Sequence, residues 1–479
     1  MKQRIRITLN VGVAFIFVTL FSYTTSPLYS CYGETPDSPI FQIIGKYWAE
    51  GAIPYIDLWD LKGPFIFFVN AIGYLLTHDS TGVYLIQVAS LFLTLEFIQC
   101  ILRTRFSPMI SAILGWLSLL GLSYIYEGGN LTEEYLLPFQ TLSFLFIIKW
   151  IDHCERDIHT KHISWHAGVY GMTLAVSLFS RLTNALPLCA TVAVIAVTLL
   201  LNHAYRNLVS NILGFTLGFF VIALPFILYF HNKNALSEMW NATFVHAFKY
   251  AINATKDVSN SNLHHFILSY INSILLMVIA LYATIFERKV TTRTALWLMA
   301  AGIPFIWFCQ GNGFGHYGMT VYPLFAIIII EMSRLSMRIL PVFFLLMLAV
   351  GFASKLHNIY KIYNFYEDST LAEYRSFLNS LPVDANTKSF VAYNCSPNYY
   401  LANDIRPAAP FFSLQDFAIS RNLKLQKEIA NAYEKSNVEW ILTTYEDGYE
   451  LGIQEVLFKK YKMVGCDSTK HLKLYHIIP

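Results

Sequence analysis

The residues of this chain best suited to chemistry lie in a polar insert between its first two long apolar stretches. The insert reads Pro36-Asp37-Ser38-Pro39 and then Pro54-Tyr55-Ile56-Asp57-Leu58-Trp59-Asp60-Leu61-Lys62-Gly63-Pro64. Carboxylates and an ammonium beside a bilayer are costly to hold and mark a reaction site. Asp37 has the chemistry of a general base, and Lys62 that of an anion holder. A helix cap for Asp37, and a lysine that merely snorkels to headgroups, are the alternatives.

Helices must position both groups. Asp37 or Ser38 followed by Pro39 signals a helix start, and the positive dipole end there favours an ionised Asp37. The predicted helix runs to about Glu50 and carries Ile40, Phe41, Ile44, Tyr47 and Trp48 on one face, as suits a helix lying at a membrane surface. Gly51 ends it. Gly63-Pro64 opens the next helix, so Lys62 stands just before an N-terminus whose amides, with the ammonium, would hold a phosphate. Asp57 and Asp60 read as turn formers or partners of Lys62.

A second acidic cluster reads Glu127-Gly128-Gly129-Asn130-Leu131-Thr132-Glu133-Glu134-Tyr135. Thr132 or Asn130 is expected to cap the following helix, with Glu133 and Glu134 in its first turn. Any of Glu127, Glu133 and Glu134 that faced the first insert could orient an acceptor hydroxyl, or share a divalent metal ion with Asp37. Arg181, in Ser180-Arg181-Leu182-Thr183-Asn184, suits an ion pair as well as a phosphate contact. His316 ends the glycine-rich turn Gly311-Asn312-Gly313-Phe314-Gly315-His316-Tyr317. No strand precedes that turn, which argues against a nucleotide loop, but the imidazole can donate to an anion. Tyr55, Trp59, Tyr124 and Tyr126 are candidates to pack on a sugar face.

The chain around these residues belongs in lipid. Of 479 residues, 55% are hydrophobic, 16% aromatic and only 14% charged, the composition of a polytopic α-helical membrane protein. The formal net charge of +3 gives no reason to expect nucleic acid. Three basic residues within Met1 to Arg6 precede an apolar run without a clear cleavage site, which reads as an uncleaved first span. Further spans are expected near 83–102, 107–125, 134–151, 163–180, 184–201, 207–230, 264–286, 293–309, 317–333 and 339–357. Phe65 to Leu76 is too short to cross and is expected to be interfacial or re-entrant.

With about 11 crossings and a cytoplasmic N-terminus, nearly every short basic loop falls on one side. Those loops hold Arg103, Arg105, Lys149, Arg156, Lys161, Arg206, Arg288, Lys289, Arg293, Arg334 and Arg338. The same parity puts the first insert, the 127–134 loop, the long loop His231 to His265, the turn at His316 and the C-terminal region outside. Two domains are expected: a membrane domain over 1–357, and a small extracytoplasmic α/β domain over 358–479. In the latter, strand-like runs cover 389–393, 440–444 and 472–478, and a helix covers 423–436. Cys395 and Cys466 both fall there, where an oxidising compartment would permit a bridge. Sequons begin at Asn130, Asn241 and Asn253.

The order of these features resembles the C-type (GT-C) integral membrane glycosyltransferases, in particular the group of protein O-mannosyltransferases and aminoarabinose transferase. It spans most of residues 1–357: an acidic residue in a long first external loop, two surface helices, Lys62-Gly63-Pro64 before the second, an acidic second external loop, and His316-Tyr317 before a late span. The family usually shows an acidic pair where this chain has Asp37-Ser38, and Lys-Pro-Pro where it has Lys62-Gly63-Pro64.

The resemblance implies transfer of a sugar from a polyprenyl-phosphate carrier to a glycan, lipid or protein acceptor on the outer face of a plasma or inner membrane, with inversion. Asp37 would be the base, with Lys62, Arg181 and His316 on the phosphate. No soluble cofactor is implied beyond a divalent ion that the carboxylates could hold. A flippase or transporter of lipid-linked glycans is the rival, but it predicts internal repeats and charges deep in the spans, which are not evident. A glycan polymerase predicts a large basic external loop, and 231–265 holds only Lys233, Lys249 and Lys256.

Overall fold

A computed structural model describes residues 3–29, 37–155, 161–249, 263–309, 314–337, 339–366, 389–413, 422–444, 452–467 and 472–478. Pro36, Arg156, Asn253, Lys256, Gly311 to Gly313 and Arg338 lie outside them. The chain divides into two compact units. One contains residues 1–22, 84–229 and 255–361; the other contains 23–83, 230–254 and 362–479.

The first unit is helical. Its elements are α1 (Gln3–Phe21), α4 (Ser80–Leu102, from Tyr84 on), α5 (Pro108–Leu117), α6 (Leu119–Ile125), α7 (Thr132–Cys154), α8 (Ser164–Leu178), α9 (Leu186–Leu201), α10 (Tyr205–Asn232, to Tyr229), α12 (Leu263–Ser269), α13 (Ile271–Glu287), α14 (Thr292–Phe308), α15 (Leu324–Arg334) and the first part of α16 (Leu340–Tyr366). Among the described residues, six helices are long and apolar enough to cross a membrane: Gln3–Phe21, Ser80–Leu102, Pro108–Ile125, Leu182–Leu201, Tyr205–Asn232 and Leu340–His357. A seventh results if Gly315–Val321 and Leu324–Arg334, bent by 56° at their junction, form one span. The spans expected near 134–151, 163–180, 264–286 and 293–309 fall on α7, α8, α12 with α13, and α14, which are shorter or more polar. The chain is built as a polytopic membrane protein.

Packing in this unit relies on small residues where helices cross. A Cβ at Gly171 of α8 would lie 2.8 Å from the Phe219 nitrogen of α10, so only glycine fits the crossing. At the ends of α7, α14 and α15, buried Arg293 gathers three carboxylates: Glu331 at 2.7 Å, Asp152 at 2.8 Å and Glu155 at 3.1 Å. Trp297 Nε1 donates to the same Glu331 at 3.0 Å. A charge this deep persists only when its partners surround it.

The second unit combines the two insert helices α2 (Asp37–Ala49) and α3 (Pro64–Thr77), the short α11 (Leu236–Trp240), a π-helical turn Asn241–His246, and the C-terminal residues. Its C-terminal helices are α17 (Asn398–Asn403), α18 (Leu423–Lys435) and α19 (Gln454–Lys460). They accompany a four-stranded sheet of order β1-β2-β4-β3, made of β1 (Phe390–Ala392), β2 (Trp440–Thr444), β3 (Tyr461–Asp467) and β4 (Leu472–Ile477). The pair β1/β2 is parallel, with Val391 opposite Ile441; β4 runs antiparallel to both β2 and β3. The expected strands and helix are there, and β3 is an addition. Its edge position explains why it escapes a pattern search: Met463 and Val464 are successive and both exposed, so no alternation appears. Cys395 is buried with its thiol against the Tyr393 and Leu442 carbonyls, Cys466 is exposed on β3, and the two are not joined in a disulfide.

Candidate active site

The helices of the first insert form where their sequence signals fall. Asp37 opens α2, and Gly51, at φ +99°, turns the chain just past its end. Gly63 is the N-cap of α3, offers no side chain to its amides, and is followed by Pro64 at the first position. Ile40, Phe41, Ile44 and Tyr47 are buried. Much of this burial is against α3: Phe41 tilts on Phe67 at 6.0 Å, and Gly45 sits where a Cβ would come within 2.8 Å of the Ala71 nitrogen.

This crossing brings Asp37 and Lys62 together. Lys62 Nζ lies 3.7 Å from Asp37 Oδ2, and each side chain keeps 16% of its surface exposed. The backbone of Lys62 is held on both sides, its N–H donating to Asp60 Oδ1 at 2.8 Å and its carbonyl accepting from the Tyr55 hydroxyl at 2.8 Å. Asp60 is buried, which pushes its pKa up to about 6; Lys62 pulls against that rise and Asp37 adds to it. Asp60 is therefore a partner of Lys62, as expected. Asp57 is the expected turn former, its Oδ2 accepting from the Ile53 N–H at 2.7 Å with Arg406 at 3.7 Å. Ser38, next to Asp37, is buried and donates to Thr24 Oγ1 at 2.9 Å, while Gln42 donates to Ser38 Oγ at 3.2 Å.

The second acidic cluster forms its own constellation in the first unit. Glu127, Gly128, Gly129 and Asn130 take φ values of +42°, +87°, +75° and +56°, a left-handed turn that glycine and asparagine tolerate. Glu127 Oε2 lies 2.6 Å from His316 Nδ1. Arg181 lies 3.5 Å from Glu133 and stacks 3.4 Å over the Tyr317 ring. Glu134 is buried and accepts from Gln87 Nε2 at 2.9 Å, the Asn130 N–H at 2.8 Å and the Tyr126 hydroxyl. Among the described residues, no group of three or more His, Cys, Asp or Glu side chains is placed to hold a metal ion.

The structure revises the expected cap and the expected setting of the aromatics. Leu131, not Thr132 or Asn130, is the N-cap of α7. Thr132 instead donates to Glu133 at 2.7 Å, and Asn130 accepts from the Tyr135 hydroxyl at 2.8 Å. Of the sequon residues, Asn130 and Thr243 are buried and Asn241 is half-buried. The aromatics proposed to face a sugar are also buried: Tyr55, Trp59, Tyr124 and Tyr126 are at most 8% exposed. Tyr126 is spent on Glu134, and Trp59 packs on Phe411 at 5.1 Å and His246 at 6.0 Å.

Sequence reading missed Tyr55 as a support for Lys62, and Asp404, which binds Lys46 of α2. The first partner is seven positions away through an irregular loop, the second more than 300; neither spacing has a periodic signature.

No family model matches the chain, and no curated protein does. Solved structures do. ArnT from Cupriavidus metallidurans, bound to undecaprenyl phosphate, matches with a TM-score of 0.59 and 13% identity over 99% of this chain and 98% of that one. The same protein in the apo state matches equally, with a TM-score of 0.59 over 98% and 97%. The archaeal oligosaccharyltransferase AglB from Archaeoglobus fulgidus, in complex with an inhibitory peptide and a dolichol-phosphate, gives a TM-score of 0.47 and 12% identity over 99% of this chain and 75% of that one. The fold of this chain is that of ArnT.

Proposed function

We propose that the protein is a membrane glycosyltransferase that moves a sugar from a polyprenyl-phosphate carrier to an acceptor on the outer face of the membrane, with inversion. The observation that carries this reading is the Asp37–Lys62 pair at the heads of two packed helices, in a chain with the ArnT fold. Asp37 takes the proton as an acceptor hydroxyl oxygen attacks the anomeric carbon. The bond from that carbon to the phosphate oxygen breaks, and its electron pair leaves with the lipid phosphate. Lys62, with the side-chain-free amides at the head of α3, stabilises that charge.

Arg181 pairs with Glu133 and His316 with Glu127, and the reading rests on Asp37 and Lys62. The proposed setting is about 11 crossings with a cytoplasmic N-terminus and residues 358–479 outside, the arrangement that collects the basic loops on one face.

The test uses liposomes holding the native chain or Asp37→Asn, labelled polyprenyl-phosphate sugars and a crude envelope acceptor. Native protein alone should release polyprenyl phosphate and pass label to the acceptor. Full transfer by correctly inserted Asp37→Asn would sink the assignment of the base. Labelled lipid changing leaflet without release would make the protein a flippase.

A further inference from the structure

The support of Lys62 does not end within the first insert. Tyr55, whose hydroxyl holds the Lys62 carbonyl, is only 4% exposed, and its ring packs on Phe67 at 5.9 Å and on Phe230 at 5.5 Å. Its backbone sits at φ +72°, a left-handed conformation that a bulky aromatic residue adopts only when its surroundings impose it. That surrounding includes a hydrogen bond from a second external segment. Thr243 Oγ1 donates to the Tyr55 hydroxyl at 3.4 Å, and both residues are buried.

Thr243 belongs to the π-helical turn Asn241–His246, an uncommon element often found at functional sites. The same turn ends in His246, which is buried and reaches the C-terminal residues of this unit. His246 Nδ1 lies 3.0 Å from Asn422 Nδ2, and Asn422 Oδ1 caps α18 by accepting from the Leu425 N–H at 3.2 Å. Because the amide oxygen serves the cap, the amide nitrogen must face His246, so the imidazole nitrogen accepts. One turn thus contacts both the clamp on Lys62 and the N-cap residue of a C-terminal helix.

We propose that Tyr55 is a positioning residue for Lys62, and that the turn Asn241–His246 ties this clamp to the start of α18, so that affinity for a lipid phosphate depends on contacts made far from the ammonium. The inference rests on the functional reading above, which makes Lys62 the phosphate holder. Tyr55→Phe keeps the buried ring and deletes the hydroxyl; Thr243→Val keeps the volume and deletes the donor; Thr243→Ser keeps the donor.

The experiment measures binding of polyprenyl phosphate to the full-length chain in detergent, by tryptophan fluorescence without turnover, beside the thermal midpoint of each variant. Tyr55→Phe should weaken binding about tenfold and Thr243→Val about threefold, the range of one lost hydrogen bond. Thr243→Ser should bind as the native chain does. The double variant should be no weaker than Tyr55→Phe alone, since the two act in series. Asn422→Ala should move in the same direction as Thr243→Val. Native affinity in Tyr55→Phe, whatever its thermal midpoint, overturns the proposal. If Tyr55→Phe does not insert, native affinity in Thr243→Val overturns it instead. A native chain that binds no polyprenyl phosphate overturns the functional reading itself, a separate outcome.

Discussion

Lys62 Nζ stands 3.7 Å from Asp37 Oδ2, close enough to neutralise the carboxylate and too far for a tight hydrogen bond. A carboxylate with no cation nearby would repel a phosphate. At this separation the lysine can turn to an arriving lipid phosphate and leave Asp37 to the acceptor. Asp37→Asn should therefore lower the transfer rate by about 10²- to 10⁴-fold while polyprenyl phosphate still binds. Lys62→Met should weaken both binding and rate. Turnover and lipid binding measured on the same preparations separate the two effects, and an Asp37→Asn chain that lost binding but kept its turnover number would refute the division of roles.

The heads of both helices could be read from the chain because their signals are local: Asp37-Ser38-Pro39 and Lys62-Gly63-Pro64 are start signals within three residues of each functional group. The sheet strands β1, β2 and β4 were legible as short β-prone runs: β1 is buried throughout, β2 is buried at Ile441, Leu442 and Thr443, and in β4 buried Leu472 and Leu474 alternate with half-buried residues. The Tyr55 and Thr243 contacts were not, because the two residues stand 188 positions apart and no local pattern links them. The aromatics misled for a physical reason. Tyrosine and tryptophan beside a membrane suit an interface, a sugar or a buried hydrogen bond equally well, and here Tyr55, Trp59 and Tyr126 are buried.

Asp60 makes stability depend on pH. Burial raises its pKa from 3.8 to about 6, so the folded chain holds this proton more tightly than the unfolded chain does. Between roughly pH 4 and 6 the folded state binds more protons, and stability falls as pH rises through that window, then levels off above it. Asp60→Asn keeps the Oδ1 acceptor for the Lys62 amide but carries no charge. Its thermal midpoint should match the native protein near pH 4 and exceed it at pH 7.5, by the equivalent of about 2–3 kcal/mol. Midpoints taken across that range check it; a variant less stable than native at pH 7.5 would show that the Asp60 charge is favourable where it lies.

Arg293 is a buried structural charge in the first unit, 2% exposed with Glu331, Asp152 and Glu155 around it. Arg293→Met should leave Glu331 facing Trp297 with the weaker Arg334 contact, at 3.7 Å, as its remaining cation. Removing one member of a buried pair costs about 3–5 kcal/mol. Arg334→Met, at a more exposed site, should cost less than half of that. Thermal unfolding of the two purified variants in one detergent ranks them, and equal losses would contradict the burial argument.

Gly45 sets the distance between the two functional groups. Asp37 lies eight residues before Gly45 on α2 (45 − 37 = 8), Lys62 lies eight residues before Asn70, midway along α3 (70 − 62 = 8), and Gly45 meets Asn70 and Ala71 at the crossing. Helices that cross at equal depth hold their heads together, so any spreading at Gly45 reaches the Asp37–Lys62 pair. A single methyl suffices, because its nearest neighbours are the Asn70 Cβ and the backbone nitrogen of Ala71, at 2.8 Å, rather than the end of a flexible side chain. Gly45→Ala should therefore lower transfer by up to about 10²-fold, the effect of displacing reacting groups by an ångström, in protein that still inserts and keeps its helical content. Asn70→Ala, which leaves the Asn70 Cβ in place, should not rescue it. Asn70→Gly, which removes that atom, should restore part of the rate, and a double variant no faster than Gly45→Ala would place the obstruction on the Ala71 backbone.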